Sequence, residues 1–139
     1  MDPKLKWPVL FKRFIDDGFG IMDGNKLDFE YWVSEFNLLR DSITIDKFKF
    51  GNEVNFMDLY MYKGNAFSSI GKLDISVFQK EENKYMYIPK SRHQKHTIRN
   101  FILGELRRYE RCSTQEFSFL KTKNKIFKRL CLRGYKKLF

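Results

Sequence analysis

The chain has 139 residues, 42% of them hydrophobic and 17% aromatic, with a net charge of +10 at pH 7. That is apolar material enough for a packed core, in one domain or a compact pair of subdomains, and it excludes a disordered chain. No apolar run approaches the length of a membrane span, and the Met-Asp-Pro-Lys start does not read as a signal peptide. Two cysteines far apart in the chain, Cys112 and Cys131, fit ordinary thiols in a reducing compartment, so an intracellular protein, nuclear or cytoplasmic, is expected.

The charge is unevenly placed. Residues 1–90 hold 13 Lys and Arg against 14 Asp and Glu, whereas residues 91–139 hold 14 against 3. Excess positive charge confined to the last third points to a polyanionic partner, and nucleic acid is the usual one. A solubilising tail is the alternative, but this segment is apolar and periodic as well as basic.

Taken in order, residues 1–8 read as an irregular lead-in. Val9 to Phe14 and Phe19 to Met22 have the aromatic and β-branched residues of strands, and Asp16-Asp17-Gly18 between them has hairpin-turn chemistry. Nowhere else do two carboxylates lie side by side in so apolar a run. One reading is plain turn punctuation. The other is a divalent-metal site, because Mg²⁺ prefers hard carboxylate oxygens and two-metal phosphoryl transfer needs them closely spaced on a rigid support.

Asp23-Gly24-Asn25 is a second turn leading into a helix from Lys26 to Asp41, where Phe29, Trp32, Phe36 and Leu39 form one apolar stripe. Ile43 to Phe50 alternates as a half-buried strand, with a bulge expected near Asp46-Lys47, and Val54 to Tyr62 reads as its hairpin partner. Asp58 within it is expected on the outer face. Leu73 to Phe78 gives another strand, followed by a charged loop and a short extended piece from Lys84 to Ile88.

From Ser91 the period changes to that of helices. Ile98, Phe101, Ile102 and Leu106 mark one helix over residues 92–111. Ser113 and Glu116 have capping-box spacing before a second helix with Phe117, Leu120, Phe127, Leu130 and Cys131 on its apolar side, and Arg133-Gly134-Tyr135 supplies a glycine stop. The fold class is therefore α+β with a basic helical hairpin appended. His93, His96, Cys112 and Cys131 do not have the spacing of a zinc finger, and no nucleophile-histidine-acid set is recognisable.

These residues resemble a family. Phe14-Ile15-Asp16-Asp17 resembles the aromatic-x-Asp-Asp motif of reverse transcriptases, and its surroundings are similar to those of the Penelope-like group. Phe56-Met57-Asp58-Leu59 resembles that group's Phe-Leu-Asp-Leu strand. Ser91-Arg92-His93, the run Arg107 to Ser113, Phe117 and Leu132-Arg133-Gly134-Tyr135 are similar to its thumb. The five motifs, with Phe117 beside them, come in the family's order over about residues 10–138; Gln94 and Lys136 stand where the family commonly has proline.

The resemblance implies the C-terminal half of a polymerase palm over residues 1–90 and a helical thumb over 91–139. Asp16 and Asp17 would bind catalytic Mg²⁺, with Asp16 the direct ligand. Arg107, Arg108, Arg111, Lys121, Lys125, Lys128, Arg129 and Arg133 would grip an RNA–DNA or DNA duplex. The family's fingers and its further metal-binding aspartate belong upstream, where this chain has 15 residues before Asp16, and a GIY-YIG endonuclease domain often follows the thumb. The expectation is RNA-directed DNA polymerase chemistry that needs a second chain or a longer product, with weak or absent Mg²⁺ binding by this chain alone. The alternative is a non-catalytic nucleic-acid-binding or structural remnant of helix-turn-helix type. The long second helix, poor in base-reading Asn and Gln, argues only against a helix-turn-helix that reads DNA bases.

Overall fold

The paired acids do sit in a hairpin. In the computed structural model, which describes residues 5–39, 42–80 and 95–135, β1 (Leu10–Phe14) runs antiparallel to β2 (Asp17–Ile21). Phe14 pairs with Asp17, and Lys12 with Phe19. The turn is therefore Ile15-Asp16, and Asp17-Gly18 belongs to the strand rather than to the turn expected for it. The face of the strands decides this. Alternation puts Phe11 on the same side as Gly18 and Gly20, and a Cβ at either glycine would lie within 3.5 Å of the Phe11 ring. That ring lies 5.6 Å from Trp32 and 6.3 Å from Phe36, on the helix behind. Moving the register by one residue would turn Phe11 away from its partners.

Helix α1 (Lys26–Leu39) starts at a reciprocal cap. The Asn25 side chain accepts from the Asp28 backbone N–H at 3.0 Å, and the Asn25 N–H donates to Asp28 at 2.9 Å. Lys6 reaches the same carboxylate at 3.0 Å. Trp32 and Val33 are buried, and the rings of Phe29, Trp32 and Phe36 form a continuous aromatic row.

Residues 43–50 are not the strand expected of them. Phe48 and Phe50 pack on Phe29 at 5.0 and 5.6 Å, while the Asn37 amide bonds both the N–H and the carbonyl of Ile45, at 2.8 and 3.2 Å. A side-chain amide thus supplies the backbone partners that a neighbouring strand would have provided. Strand β3 (Glu53–Phe56) follows, with Phe56 5.9 Å from Phe19. The stretch 54–62, expected as one strand, is broken at Met57-Asp58, where Met57 has φ 54°.

The compact division falls at that break, giving units Met1–Met57 and Asp58–Phe139. In the second, β4 (Leu59–Tyr62) pairs antiparallel with β5 (Asp74–Val77), Tyr60 opposite Ser76 and Tyr62 opposite Asp74. A single helical turn, α2 (Phe67–Ile70), lies between them and has no periodic signature in the sequence. Helices α3 (Lys95–Arg111) and α4 (Glu116–Leu132) share one core of Ile98, Ile102, Tyr109, Ile126, Leu130 and Tyr135. The architecture is mixed α+β, with two small antiparallel sheets and four helices among the described residues.

The capping box expected of Ser113 and Glu116 does not form; α4 starts after Gln115, which makes no side-chain cap. The turn is recruited by the sheet instead. Thr114 donates its hydroxyl to Asp74 at 2.7 Å and accepts the Ile75 N–H at 3.0 Å, and Gln115 donates to the same Asp74 oxygen at 2.9 Å. Phe117, Leu120 and Cys131, expected on the apolar side of α4, are exposed, while Ile126 is buried there and packs in one core with Tyr109 of α3. The glycine stop is present as a Schellman motif: Gly134 has φ 85°, Tyr135 N–H reaches Leu130 O at 3.1 Å, and Gly134 N–H reaches Cys131 O at 3.0 Å. The expected extended piece at 84–88, and Ser91-Arg92-His93, lie outside the described residues.

Hydrogen bonds from Thr114 and then Gln115 hold the Asp74 carboxyl below its ordinary range. A depressed native pKa adds stability that is complete above the unfolded value and is lost as pH falls through the native one. Urea midpoints measured from about pH 5 down to about pH 2 should therefore fall less steeply for Asp74→Asn than for the parent.

Candidate functional site

Two features answer to the residues singled out in the sequence, one in each unit. In the first, Asp16 and Asp17 are adjacent at the hairpin tip, both exposed, and among the described residues neither has an ion-pair partner. The turn that presents them has a positive φ at its first central position, the type II′ pattern that ordinarily takes glycine. Here that position is Ile15, at φ 53°. A β-branched residue in the left-handed region costs about 1–3 kcal/mol. The Arg13 guanidinium secures the turn by donating from Nε to Ile15 O at 2.7 Å. Ile15 itself is 71% exposed, so the strain is not offset by burial of its side chain.

Asp16 and Asp17 offer the hard oxygens that magnesium prefers, but a two-metal phosphoryl-transfer site needs further carboxylate ligands. Among the described residues no group of three or more His, Cys, Asp and Glu is assembled. The pair by itself does not fit a two-metal centre.

The second feature is the basic helical pair. Arg107 and Arg111 are exposed one turn apart on α3, and Arg111 Nε leans on Arg107 O at 3.4 Å. Lys121, Lys125 and Lys128 follow at steps of four and three and form an exposed stripe on α4. Burial, then the nearby charges of Arg129 and Lys121, pushes the Lys125 ammonium below its usual range. Arg129 and Arg133 are half-buried, and Arg129 donates to Gln79 at 3.4 Å.

Arg108 is differently employed. Its guanidinium bonds Asp58 at 2.8 Å and Glu105 at 2.9 Å, and it lies 5.2 Å from the buried Tyr109 ring. It is a bolt of the fold before it is a phosphate ligand, and Asp58 is the residue it fastens. Cys112 is half-buried, Cys131 is exposed, and His93 lies outside the described residues. Tyr60 and Tyr62, unremarked within the expected strand from Val54 to Tyr62, stack their rings at 5.2 Å. Their i, i+2 spacing, which puts both rings on one face, was the available signal.

Replacing Ile15 with glycine should raise stability by about 1 kcal/mol in denaturant titration, the relieved strain exceeding glycine's added chain entropy. Arg108→Met should lose about 1 kcal/mol, its ion pairs being partly screened by solvent, whereas Lys128→Gln should leave stability unchanged within about 0.5 kcal/mol.

No helix among the described residues is long and apolar enough to cross a membrane. Comparison with protein-family models, curated proteins and solved structures found no match to this chain.

Proposed function

We propose that this chain is the metal-binding palm hairpin and nucleic-acid-gripping thumb of a retroelement reverse transcriptase, unable to synthesise DNA by itself. The observation that carries the reading is the hairpin tip. Adjacent carboxylates stand exposed on a two-residue turn held in a strained conformation at Ile15, and strain of that kind concentrates at functional sites. The exposed Arg and Lys rows of α3 and α4 supply the second element of the reading, a surface suited to phosphates. In that role Asp16 and Asp17 would contribute carboxylate ligands for Mg²⁺, whose chemistry is to activate a primer hydroxyl and steady the departing pyrophosphate. The lysines and arginines would neutralise phosphates and hold the duplex without reading its sequence.

A second reading is a non-catalytic nucleic-acid-binding remnant on the same fold, supported by the exposed basic rows of α3 and α4 alone. The two readings separate at Asp16 and Asp17.

The purified chain should bind a labelled RNA–DNA duplex with little sequence preference, losing affinity steeply between about 50 and 200 mM salt. Absence of binding at low salt would sink both readings. The double variant Asp16→Ala/Asp17→Ala should keep duplex affinity within about twofold, because carboxylates do not hold phosphates. In an enzyme completed with fingers and the upstream palm, the same variant should abolish primer extension; retained extension would exclude the catalytic reading. Extension by the 139-residue chain alone would show that it needs no completion.

A further inference from the structure

The second unit contains a groove whose walls have a different chemistry from the exposed basic stripe. It has a volume of about 380 Å³ and lies between strands β4 and β5 and one side of α4. Tyr60 and Tyr62 form one wall, their rings stacked at 5.2 Å and 27°. Strand pairing places Ser76 opposite Tyr60 and Asp74 opposite Tyr62, so these four residues share a face of the sheet. Asp74 is turned to the α3–α4 turn by its bonds to Thr114 and Gln115 and does not line the groove.

The other wall is α4, where Phe117, Lys121 and Lys125 recur at steps of four. Phe117 is 76% exposed, an aromatic ring on the rim that contributes little to the core. Among the described residues no carboxylate lines the groove and neither lysine is in an ion pair. Two ammonium groups one helical turn apart, beside Arg129, repel one another, and an anion between them would relieve that repulsion.

Aromatic rings beside paired cations suit a particular polyanion. In a duplex the base faces are already stacked on one another, leaving phosphates and groove edges for a protein to touch. An unpaired base has a free π-face, and proteins that hold single strands combine aromatic platforms with a basic track for the backbone. The groove has the volume of a small-ligand pocket, room for one base and its sugar-phosphate. We propose that this groove holds a single-stranded segment of nucleic acid, with a base against the stacked Tyr60 and Tyr62 rings on one wall, Phe117 facing it from the rim of the other, and its phosphates on Lys121 and Lys125. This rests on the reading of the second unit as a nucleic-acid grip and adds to it a site for an unpaired strand.

The test uses the full chain and fluorescence anisotropy with labelled oligothymidylate and oligouridylate of about twelve nucleotides, beside an RNA–DNA duplex. Phe117→Ser removes an exposed ring with little effect on the core, and Tyr62→Leu removes a wall. Each should weaken single-strand binding about tenfold while changing duplex affinity less than about twofold, and Tyr62→Phe should restore it. Lys121→Gln/Lys125→Gln should lower the slope of log affinity against log salt on the single strands by about 1.4. The Phe117 and lysine variants alter exposed helix positions, so they decide the matter if Tyr62→Leu fails to fold.

Single-strand affinity unchanged in the Phe117 and lysine variants would overturn the proposal, and duplex binding that persists in the same samples would leave the broader reading standing. Failure to bind either oligonucleotide would overturn it as well, and if the duplex also failed to bind, both would fall. Single-strand binding sensitive to these residues, with no duplex binding, would uphold the groove against the duplex grip. A response with oligouridylate alone or oligothymidylate alone upholds it and identifies the strand as RNA or DNA.

Discussion

One carboxylate organises the second unit. Asp74, at the start of β5, takes the Thr114 hydroxyl and the Gln115 amide on a single oxygen, while Thr114 and Ile75 exchange further bonds beside it. These bonds tie the short turn between α3 and α4 to the sheet. The turn in turn determines where α4 begins, and hence which of its rows lies over Tyr60 and Tyr62. The buried residues Ile102, Tyr109 and Ile126 would hold two helices together without this clamp, but apolar burial is non-directional and would not determine their rotation against the strands. A polar contact with defined donors does that. Its local cost is the capping box that Ser113 and Glu116 were spaced to make.

The first unit solves a different problem. Its hairpin is held by aromatic contacts on both faces, Phe11 to Trp32 on one and Phe19 to Phe56 on the other. That grip is strong enough to impose register, and register forces the turn onto Ile15-Asp16, where isoleucine must adopt a backbone conformation better suited to glycine. The strain at Ile15 lies where two adjacent carboxylates reach solvent. A hairpin free to choose its turn from local chemistry would have placed it on Asp17-Gly18 and buried the difference in relaxed backbone. Met57 repeats the same conformation next to Asp58, so Phe-apolar-Asp is used twice with the apolar residue left-handed.

Two kinds of charge are thereby kept distinct in role. The acidic tip is exposed and compact, and among the described residues no group of three or more metal-ligating side chains forms. The basic surface divides into arginines spent on the fold, such as Arg108 between Asp58 and Glu105, and lysines that face solvent or the groove. Counting basic residues along a helix does not make that division, since Arg107 and Arg108 are neighbours in sequence and have different employment. Burial and partners make it: one side chain is exposed, the other is fastened to two carboxylates.

Much of the local structure was legible in the amino-acid order. The helical stripe from Phe29 to Phe36, the helices carrying Ile98, Ile102 and Leu130, and the Gly134 stop follow from periodicity and backbone chemistry that act within a few residues. So does the nearness of Asp16 to Asp17, which needs only adjacency in the chain. Contacts between distant residues decided the rest. Asn37 satisfies Ile45 and prevents a strand at 43–50; Asp74 claims Thr114 and dissolves a capping box; Phe11 finds Trp32 and moves a turn from Asp17-Gly18 to Ile15-Asp16. The groove belongs wholly to this second class. Tyr60, Tyr62, Lys121 and Lys125 are separated by some sixty residues of chain, and nothing in their local patterns brings rings and ammonium groups together until the strands and α4 have packed. Periodicity reports the face a residue prefers, whereas the partner on that face is settled by packing and by which distant polar group completes a hydrogen bond.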